Sequence, residues 1–294
     1  EEQTQQAEQR FIAEQGAAVS YAIELAKCEK DIFHWFDQWV WTYDPRLVGH
    51  PGGPYIPFKL WPKQKQFVRF VLAHITAQQP WICEKSRDQG VTYLCAAIAL
   101  WCWRFKPGFK WTFGSREEDL VDLRDNPDSI FEKIRIILRR LPVWMLPKGF
   151  SWHHHDLDSR LINPENGSII TGEGGDNMGR GGRSSTYVVD EAAFIARPRK
   201  VEAAVVGSAE CVGWVSSVNA ETGMGNFFAI KRHAAAPEHV FRLHWRDDPR
   251  KDAKWAEQKK ATLSDPSTWE AEYEINYHAM AEGICIPAAW VRSA

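Results

Sequence analysis

The chain has 294 residues, of which 44% are hydrophobic and 25% charged, and its formal net charge is −2. This is the composition of a globular protein with a buried core, and the near-neutral charge excludes a chain that is basic throughout, as many nucleic-acid-binding proteins are. No apolar run reaches the roughly 18 residues of a membrane-spanning helix. The six cysteines show no C-x-x-C spacing, so we expect a reducing compartment, no disulfide framework and no structural zinc.

The N-terminal part of the chain precedes any regular alternation of elements. Residues 1–30 predict a polar helix with an apolar stripe, and residues 31–62, which are aromatic and then rich in proline and glycine, predict a connecting or wrapping segment. A helix is expected to begin near Pro62, because proline is favoured in a first helical turn, and to run towards Gln79.

Apolar strand candidates then alternate with helical patterns, which predicts an α/β fold with a mostly parallel sheet flanked by helices. Such sheets bind ligands at the carboxyl ends of their strands, so polar residues at those ends are the candidates for function. The expected strands are 81–85, 109–114, 168–171, 186–190, 211–217 and 239–244, and the expected helices are 92–104 and segments within 116–141.

An apolar strand, a glycine-containing turn and an apolar helix follow one another around Gly90, which is the layout of a phosphate-binding loop. Against the pattern G-x-x-x-x-G-K-[ST], Gly90 and Thr92 match the second glycine and the hydroxyl, whereas Val91 replaces the lysine and Lys85 the first glycine. A phosphate cradle needs backbone N–H groups at a helix start, a hydroxyl for magnesium and a cation. Lys85 or Arg87 can supply that cation. The alternative is a simple strand-to-helix turn that contains a glycine.

Two further predicted strands also end in polar residues. The strand that ends in Asp190 and Glu191 has the form of a Walker B strand, in which the first carboxylate joins a magnesium shell and the second orients and deprotonates water. Ser216, Ser217 and Asn219 follow another apolar strand and offer neutral hydrogen bonds that can sense a γ-phosphate. Taken alone, each is also compatible with a polar strand end or a turn.

In this order, the motifs resemble the ATPase part of terminase large subunits of tailed bacteriophages, the motors that drive DNA into a preformed capsid. The resemblance spans about residues 60–285 and implies a P-loop NTPase fold of the ASCE type that uses ATP and Mg. It rests on WPKQ at 61–64, KSRDQGVT at 85–92, VVDE at 188–191, SSVN at 216–219 and HWRDDP at 244–249.

The resemblance assigns the nucleotide contacts. Gln64 matches an adenine-reading glutamine, Arg87 matches the arginine of the family's variant Walker A motif, and some branches carry lysine where Lys85 stands. Val91 and Asp88 depart from the pattern, since lysine and glutamine are common there, and a carboxylate at position 88 needs a cation or metal beside it. The expected ATP-binding residues are Gln64, Lys85, Ser86, Arg87, Asp88, Gln89, Gly90, Val91 and Thr92, with the backbone amides from Ser86 to Thr92 as the cradle.

The resemblance also implies the catalytic groups. Thr92 and Asp190 are expected to hold magnesium, and Glu191 is expected to activate water. Lys85 and Arg87 are expected to contact the γ-phosphate, and Ser216, Ser217 and Asn219 match the family's coupling motif. An arginine from a neighbouring subunit would complete the site, with Arg180 and Arg183 as candidates, although a flexible basic loop is the simpler interpretation of both.

The predicted function is therefore ATP hydrolysis that translocates double-stranded DNA into a procapsid in the host cytoplasm. The expected partners are duplex DNA, a portal and procapsid, a small terminase subunit and further copies of the chain in a ring, with no membrane. A helicase-like DNA translocase and a non-hydrolysing, nucleotide-gated assembly module remain as alternatives. The expected organisation is an N-terminal helical and wrapping segment (1–59), an ATPase domain (60–250) and a C-terminal helical segment or linker (251–294) towards an endonuclease domain that this chain lacks.

Basic stretches at 135–140 and 197–200 offer local DNA contacts, although each on its own favours a solvated helix face or loop. The histidine run 153–155 has metal-binding side chains, but consecutive residues of a regular element cannot all point one way. We therefore expect no metal there.

Overall fold

A computed structural model of the chain describes residues 2–279, with side chains from residue 15 onward. It contains short 3-10 turns besides the helices and strands named here. The helices are α1 (Glu2–Lys30), α2 (Ile32–Trp39), α3 (Pro62–Ala77), α4 (Val91–Phe105), α5 (Glu118–Val121), α6 (Ile130–Arg139), α7 (Trp152–His155), α8 (Pro198–Ser208), α9 (Phe227–Ala234), α10 (Ala253–Ala261) and α11 (Pro266–Glu272). The strands are β1 (Trp41–Tyr43), β2 (Tyr55–Pro57), β3 (Trp81–Lys85), β4 (Lys110–Ser115), β5 (Asp156–Leu157), β6 (Arg160–Ile162), β7 (Ile169–Gly174), β8 (Thr186–Val189), β9 (Cys211–Ser216) and β10 (Val240–Leu243).

The central sheet has eight strands in the order β10-β3-β9-β8-β4-β7-β6-β5. The six strands from β10 to β7 are parallel, as the alternation of strands and helices predicts. The antiparallel edge formed by β6 and β5 was missed. Those two strands have three residues and two residues, which is too short for a periodic pattern in the sequence.

Helices cover the sheet on both faces, and the side chains of the buried strands divide between two cores. In β3, Trp81 and Cys83 join the core formed with α2, α3, α4 and α6, whereas Ile82 joins the core formed with α8 and α9. Gly213 lies on β9 where an added Cβ would come within 2.2 Å of the Trp81 ring, so only glycine fits there. Within residues 2–279, no helix combines the length and the apolarity that crossing a bilayer requires.

Residues 31–62 contain more regular structure than the sequence predicts. The helix α2 is capped by Asp31, whose side chain accepts a hydrogen bond from the Phe33 amide at 2.8 Å. It buries Ile32, Trp35 and Phe36 at helical spacing. The strands β1 and β2 then form a separate antiparallel hairpin. Proline and glycine mark the turn of this hairpin, and the short aromatic runs on either side of it are its strands.

The end of α1 is fastened to α2 by one carboxylate. The Glu24 Oε1 atom lies 2.6 Å from the His34 ring nitrogen and accepts a hydrogen bond from the Trp39 indole at 3.0 Å. Glu24, His34 and Cys28 make the one group of three metal-donor residues found in the described part of the chain. The histidine run 153–155 therefore forms no such group within residues 15–279. The hydrogen bonds of Glu24 with His34 and Trp39 explain why its carboxylate lies there.

A buried ion network lies between α6 and the antiparallel edge of the sheet. Arg135 donates to both carboxylate oxygens of Asp122 at 2.6 and 2.9 Å and to both of Asp156 at 3.0 and 3.1 Å, and all three side chains are buried. Glu132 lies 3.6 Å away and pairs with the same guanidinium. The expectation of a solvated helix face is therefore wrong for Arg135, because paired acids surround its side chain.

We predict that Arg135→Met lowers the free energy of unfolding by about 3–5 kcal/mol at neutral pH, because it leaves Asp122 and Asp156 buried without their main cation. Urea denaturation followed by circular dichroism measures the change. Arg160→Met is the control, since Arg160 is exposed on β6, and it should change stability by less than about 0.5 kcal/mol. Equal losses in the two variants would contradict a stabilising network.

Candidate functional site

The predicted functional residues meet at the carboxyl edge of the parallel strands. The strand β3 ends at Lys85, β8 ends immediately before Asp190, and β9 ends at Ser216. In the sheet, β9 lies between β3 and β8. The three strand ends therefore lie side by side.

One hydrogen bond joins the glycine-containing turn to the acidic strand end. The Thr92 hydroxyl donates to Asp190 Oδ2 at 2.7 Å, although the two residues are 98 positions apart. Asp190 is 8% exposed, and its Oδ1 atom accepts a hydrogen bond from the Glu191 amide at 3.0 Å. A hydroxyl beside a carboxylate is an oxygen donor set of the kind that suits Mg²⁺. Thr92 and Asp190 therefore fit the predicted metal site.

The start of α4 offers unpaired backbone donors beside these oxygens. Gly90 caps the helix in the left-handed region with φ 70°, a conformation that glycine adopts without strain. Within residues 2–279, the N–H groups of Gly90, Val91 and Thr92 donate to no other group. Such groups at a helix N-terminus attract anions. The Val91 side chain is 2% exposed in the core, so position 91 holds no cation and contributes its backbone alone.

The backbone N–H groups in the first half of the turn are not free to bind phosphate, contrary to the expectation. The Ser86 amide donates to the Leu243 carbonyl at 2.9 Å, and the Arg87 amide donates to the Glu272 carbonyl at 2.8 Å. The prediction that all amides from Ser86 to Thr92 form the cradle is therefore wrong for these two residues, because segments near the end of the chain already bind their N–H groups. The available cradle begins after Arg87.

The two candidate cations have different surroundings. Arg87 forms an ion pair with Glu272 at the end of α11. The Lys85 ammonium forms no ion pair or hydrogen bond with any described residue, and Lys85 lines a cavity of about 700 Å³ at the edge of the sheet. Asp88 has the cationic neighbours that a carboxylate there requires, with Arg46 at 3.3 Å and Lys251 at 3.7 Å. Lys85 is thus the cation left free in the loop.

The same cavity contains Glu191 and a residue that the sequence analysis missed. Arg116 directly follows β4, and its Nε atom lies 3.0 Å from Glu191 Oε2. Both side chains are nearly half exposed, so this contact is worth at most about 1 kcal/mol and can rearrange readily. The position of Arg116 at the end of a parallel strand was a signal that could have identified it. The missed residues that line this cavity are Arg46, Arg116, Phe194, Trp255, Lys259 and Tyr273.

A second cavity, of about 740 Å³, is also bordered by Asp88 and is lined in part by Phe58, Trp61, Gln64 and Arg250. Gln64 is fully buried, and its Nε2 atom donates to the Gln89 carbonyl at 3.1 Å. Its Oε1 atom has no hydrogen-bond partner among the described residues. A buried amide oxygen without a donor is costly, so this side chain is suited to accept a hydrogen bond from a ligand.

The predicted coupling residues hold the turn that follows Glu191. The Ser216 hydroxyl accepts a hydrogen bond from the Ala193 amide at 3.1 Å, and the Asn219 side chain donates to the Ala193 carbonyl at 3.2 Å. Ser217 lines the 700 Å³ cavity. These contacts connect the end of β9 to the acidic strand end, which is the geometry that a relay between the two requires.

Arg180 and Arg183 are not brought to this site. Both are exposed, and neither is among the residues that line the two cavities. Their loop is held by Glu173 on β7, which accepts hydrogen bonds from the Gly179 and Gly181 amides at 2.6 and 3.1 Å. Lys110 at the start of β4 also donates to the Gly181 carbonyl at 3.4 Å. Any contact of these arginines with a nucleotide would therefore be made in a neighbouring copy of the chain, and that role stays a prediction.

Comparison with solved structures finds the same fold in large terminases. The large terminase of a thermophilic bacteriophage, in complex with ATP-gamma-S, matches with a TM-score of 0.54 and 11% identity over 74% of this chain. The HK97 bacteriophage large terminase matches with a TM-score of 0.52 and 14% identity over 86% of this chain. A variant of the Thermus phage P74-26 large terminase ATPase domain matches with a TM-score of 0.50 and 16% identity over 79% of this chain and 96% of that domain.

These matches confirm the expected fold class at the level of a mostly parallel sheet flanked by helices, and they confirm the resemblance to the terminase ATPase portion at the level of the fold. The chain covers 52% of the terminase solved with ATP-gamma-S and 49% of the HK97 protein, and thus about half the length of each. No protein-family model matches the chain, and comparison with curated protein sequences finds no match.

Proposed function

We propose that this chain is the ATP-hydrolysing unit of a terminase large subunit, which uses ATP and Mg²⁺ to translocate double-stranded DNA into a procapsid. The observation that carries the proposal is the 2.7 Å hydrogen bond between Thr92 and Asp190, because it brings a phosphate-binding loop and an acidic strand end to one point. The shared fold with large terminases, one of them in complex with ATP-gamma-S, supports the same proposal.

Different groups of the chain are proposed to bind the phosphates and the metal ion of a triphosphate. The unpaired N–H groups from Gly90 to Thr92 bind phosphate oxygens, and the free Lys85 ammonium adds a positive charge at the 700 Å³ cavity. Thr92 and Asp190 would hold Mg²⁺, which neutralises charge on phosphate oxygens when bound.

Glu191 is the proposed general base. Its Oε2 atom is held by Arg116 at 3.0 Å, while its Oε1 atom has no partner in the described chain and is free to accept a proton from water. Phosphoryl transfer is catalysed mainly by positioning and charge, and this proton acceptor together with the cationic side chains that line the cavity is the proposed contribution of this part of the chain to the step.

The remaining roles are part of the proposal and concern the longer protein as well. They include duplex DNA, a portal and procapsid, and a small subunit as partners, a ring of copies with Arg180 or Arg183 acting on a neighbour, and a C-terminal endonuclease beyond this chain. The place of action would be the host cytoplasm. The contacts of Ser216 and Asn219 with Ala193 support a coupling role for β9, since both reach the turn beside Glu191.

We predict that Glu191→Gln binds ATP with nearly unchanged affinity and hydrolyses it about 10²- to 10⁴-fold more slowly, because the amide keeps the shape of the side chain and loses the proton acceptor. Isothermal titration with Mg-ATP measures binding, and phosphate release measures turnover. Glu210→Gln serves as the control, since Glu210 is exposed and precedes β9 at the opposite end of that strand.

Unchanged turnover in Glu191→Gln would exclude Glu191 as the base. Measuring the wild-type chain with and without DNA separates the alternative functions. Stimulation by duplex DNA supports a packaging motor, and stimulation restricted to single strands supports a helicase-like translocase. ATP binding without turnover under every condition supports a non-hydrolysing assembly module.

We predict that Gln64→Met reduces the preference for ATP over GTP by about three- to tenfold, since it removes the buried amide whose oxygen lacks a partner and keeps a similar volume. Competition binding with the two nucleotides measures the preference. Gln66→Met on the same helix is the control, because Gln66 is exposed. A preference that survives in Gln64→Met would show that other groups read the base.

A further inference from the structure

Hydrogen bonds join the first part of the phosphate-binding loop to residues in the C-terminal part of the described chain. The Ser86 hydroxyl donates to the Tyr273 carbonyl at 2.5 Å and accepts a hydrogen bond from the Trp245 amide at 3.0 Å. Together with the amide bonds of Ser86 and Arg87, these contacts tie the first part of the loop to segments more than one hundred and fifty positions later in the chain. The loop's shape therefore depends on backbone groups outside the Walker A motif.

Lys251 adds a charged side chain to these contacts with the loop. Its Nζ atom donates to the Asp88 carbonyl at 2.9 Å and lies 3.7 Å from Asp88 Oδ2 and 3.6 Å from Asp248 Oδ2. When the Gln89 amide is oriented so that both of its polar atoms are satisfied, its oxygen accepts from Lys251 at 3.1 Å and its nitrogen donates to the His244 carbonyl at 3.2 Å. The ammonium thus contacts two consecutive loop residues.

Burial makes this position costly for a lysine. The Lys251 side chain is 4% exposed, and burial lowers the pKa of Lys251, while Asp88 and Asp248 oppose that shift. Lys251 lines neither of the two cavities beside the loop. It therefore contacts the loop and not the space that a ligand would fill, which separates its role from that of Lys85.

Asp88 is the loop residue that needs such a partner. It adopts the left-handed region with φ 60°, which is uncommon outside glycine, and its carboxylate lies in the loop that is proposed to bind a polyphosphate. An uncompensated carboxylate there would repel the ligand. Arg46 donates to the same carboxylate at 3.3 and 3.5 Å. Because Arg46 is 69% exposed and also pairs with Asp44, this contact contributes little energy.

We propose that Lys251 is a positioning residue for polyphosphate binding, which neutralises Asp88 and fixes its carbonyl so that the N–H groups from Gly90 to Thr92 face the ligand. This inference rests on the proposed function, because it assumes that the loop binds a nucleotide. The loop has no lysine at position 91, and the inference gives part of the missing positive charge to Lys251, a residue outside the loop.

The test is a double-mutant cycle of Lys251→Met and Asp88→Asn, with Mg-ATP and Mg-ADP binding measured by isothermal titration and stability by thermal melting. Lys251→Met should weaken ATP binding about tenfold or more, and ADP binding by less, since ADP carries less charge. Asp88→Asn is measured alone to complete the cycle, and adding it to Lys251→Met should restore most of the lost affinity. A merely structural lysine would give no such rescue.

Lys254→Met is the matched control, because Lys254 is exposed on α10 three positions away, and it should bind ATP as the wild type does. If Lys251→Met does not fold, Lys251→Gln keeps a donor for the Asp88 carbonyl and must show the same rescue. Equal ATP affinity in wild type and Lys251→Met, or a loss that Asp88→Asn does not restore, overturns the inference alone. A wild-type chain that binds neither nucleotide overturns the proposed function and this inference with it.

Discussion

The hydrogen bond between the Thr92 hydroxyl and the Asp190 carboxylate is the constraint on which the candidate site depends. The strand β9 separates β3 from β8, so the first turn of α4 must reach across the end of β9 for this bond to form. It does so because all three strands are parallel and end at one edge of the sheet, whose two faces are covered by apolar cores. The packing of the sheet therefore positions the loop against the acidic strand end.

Charge compensation around the loop divides into a buried part and an exposed part. Lys251 and Asp248 are buried beneath the loop, where a broken pair is costly. The contacts of Arg87 with Glu272 and of Arg116 with Glu191 involve partly exposed side chains, and each is worth at most about 1 kcal/mol. Arg87 and Arg116 can therefore exchange these partners for a polyphosphate at little cost in free energy. The buried contacts of Lys251 keep the shape of the loop.

The sequence predicts the central strands and the strand-end residues well, because an apolar run that ends in Asp190 or Ser216 has a clear local signature. It does not reveal that the Ser86 hydroxyl bonds to a carbonyl 187 positions away, since no local pattern records such a contact. Arg46 was missed because it lies next to a proline- and glycine-rich turn. The helix α2 was missed because it is only eight residues long and lies in an aromatic stretch. The proposed division at residues 59 and 250 stays a prediction.

The most direct test of the account is a crystal structure of the chain with Mg²⁺ and a non-hydrolysable ATP analogue. The account predicts phosphate oxygens on the N–H groups from Gly90 to Thr92, the metal ion on Thr92 and Asp190, and the base in the cavity that contains Gln64. An apolar groove of about 820 Å³ beside the start of β3, between α8 and α9, offers a different location. A polyphosphate bound there, or anywhere away from the Thr92–Asp190 contact, would contradict the central claim.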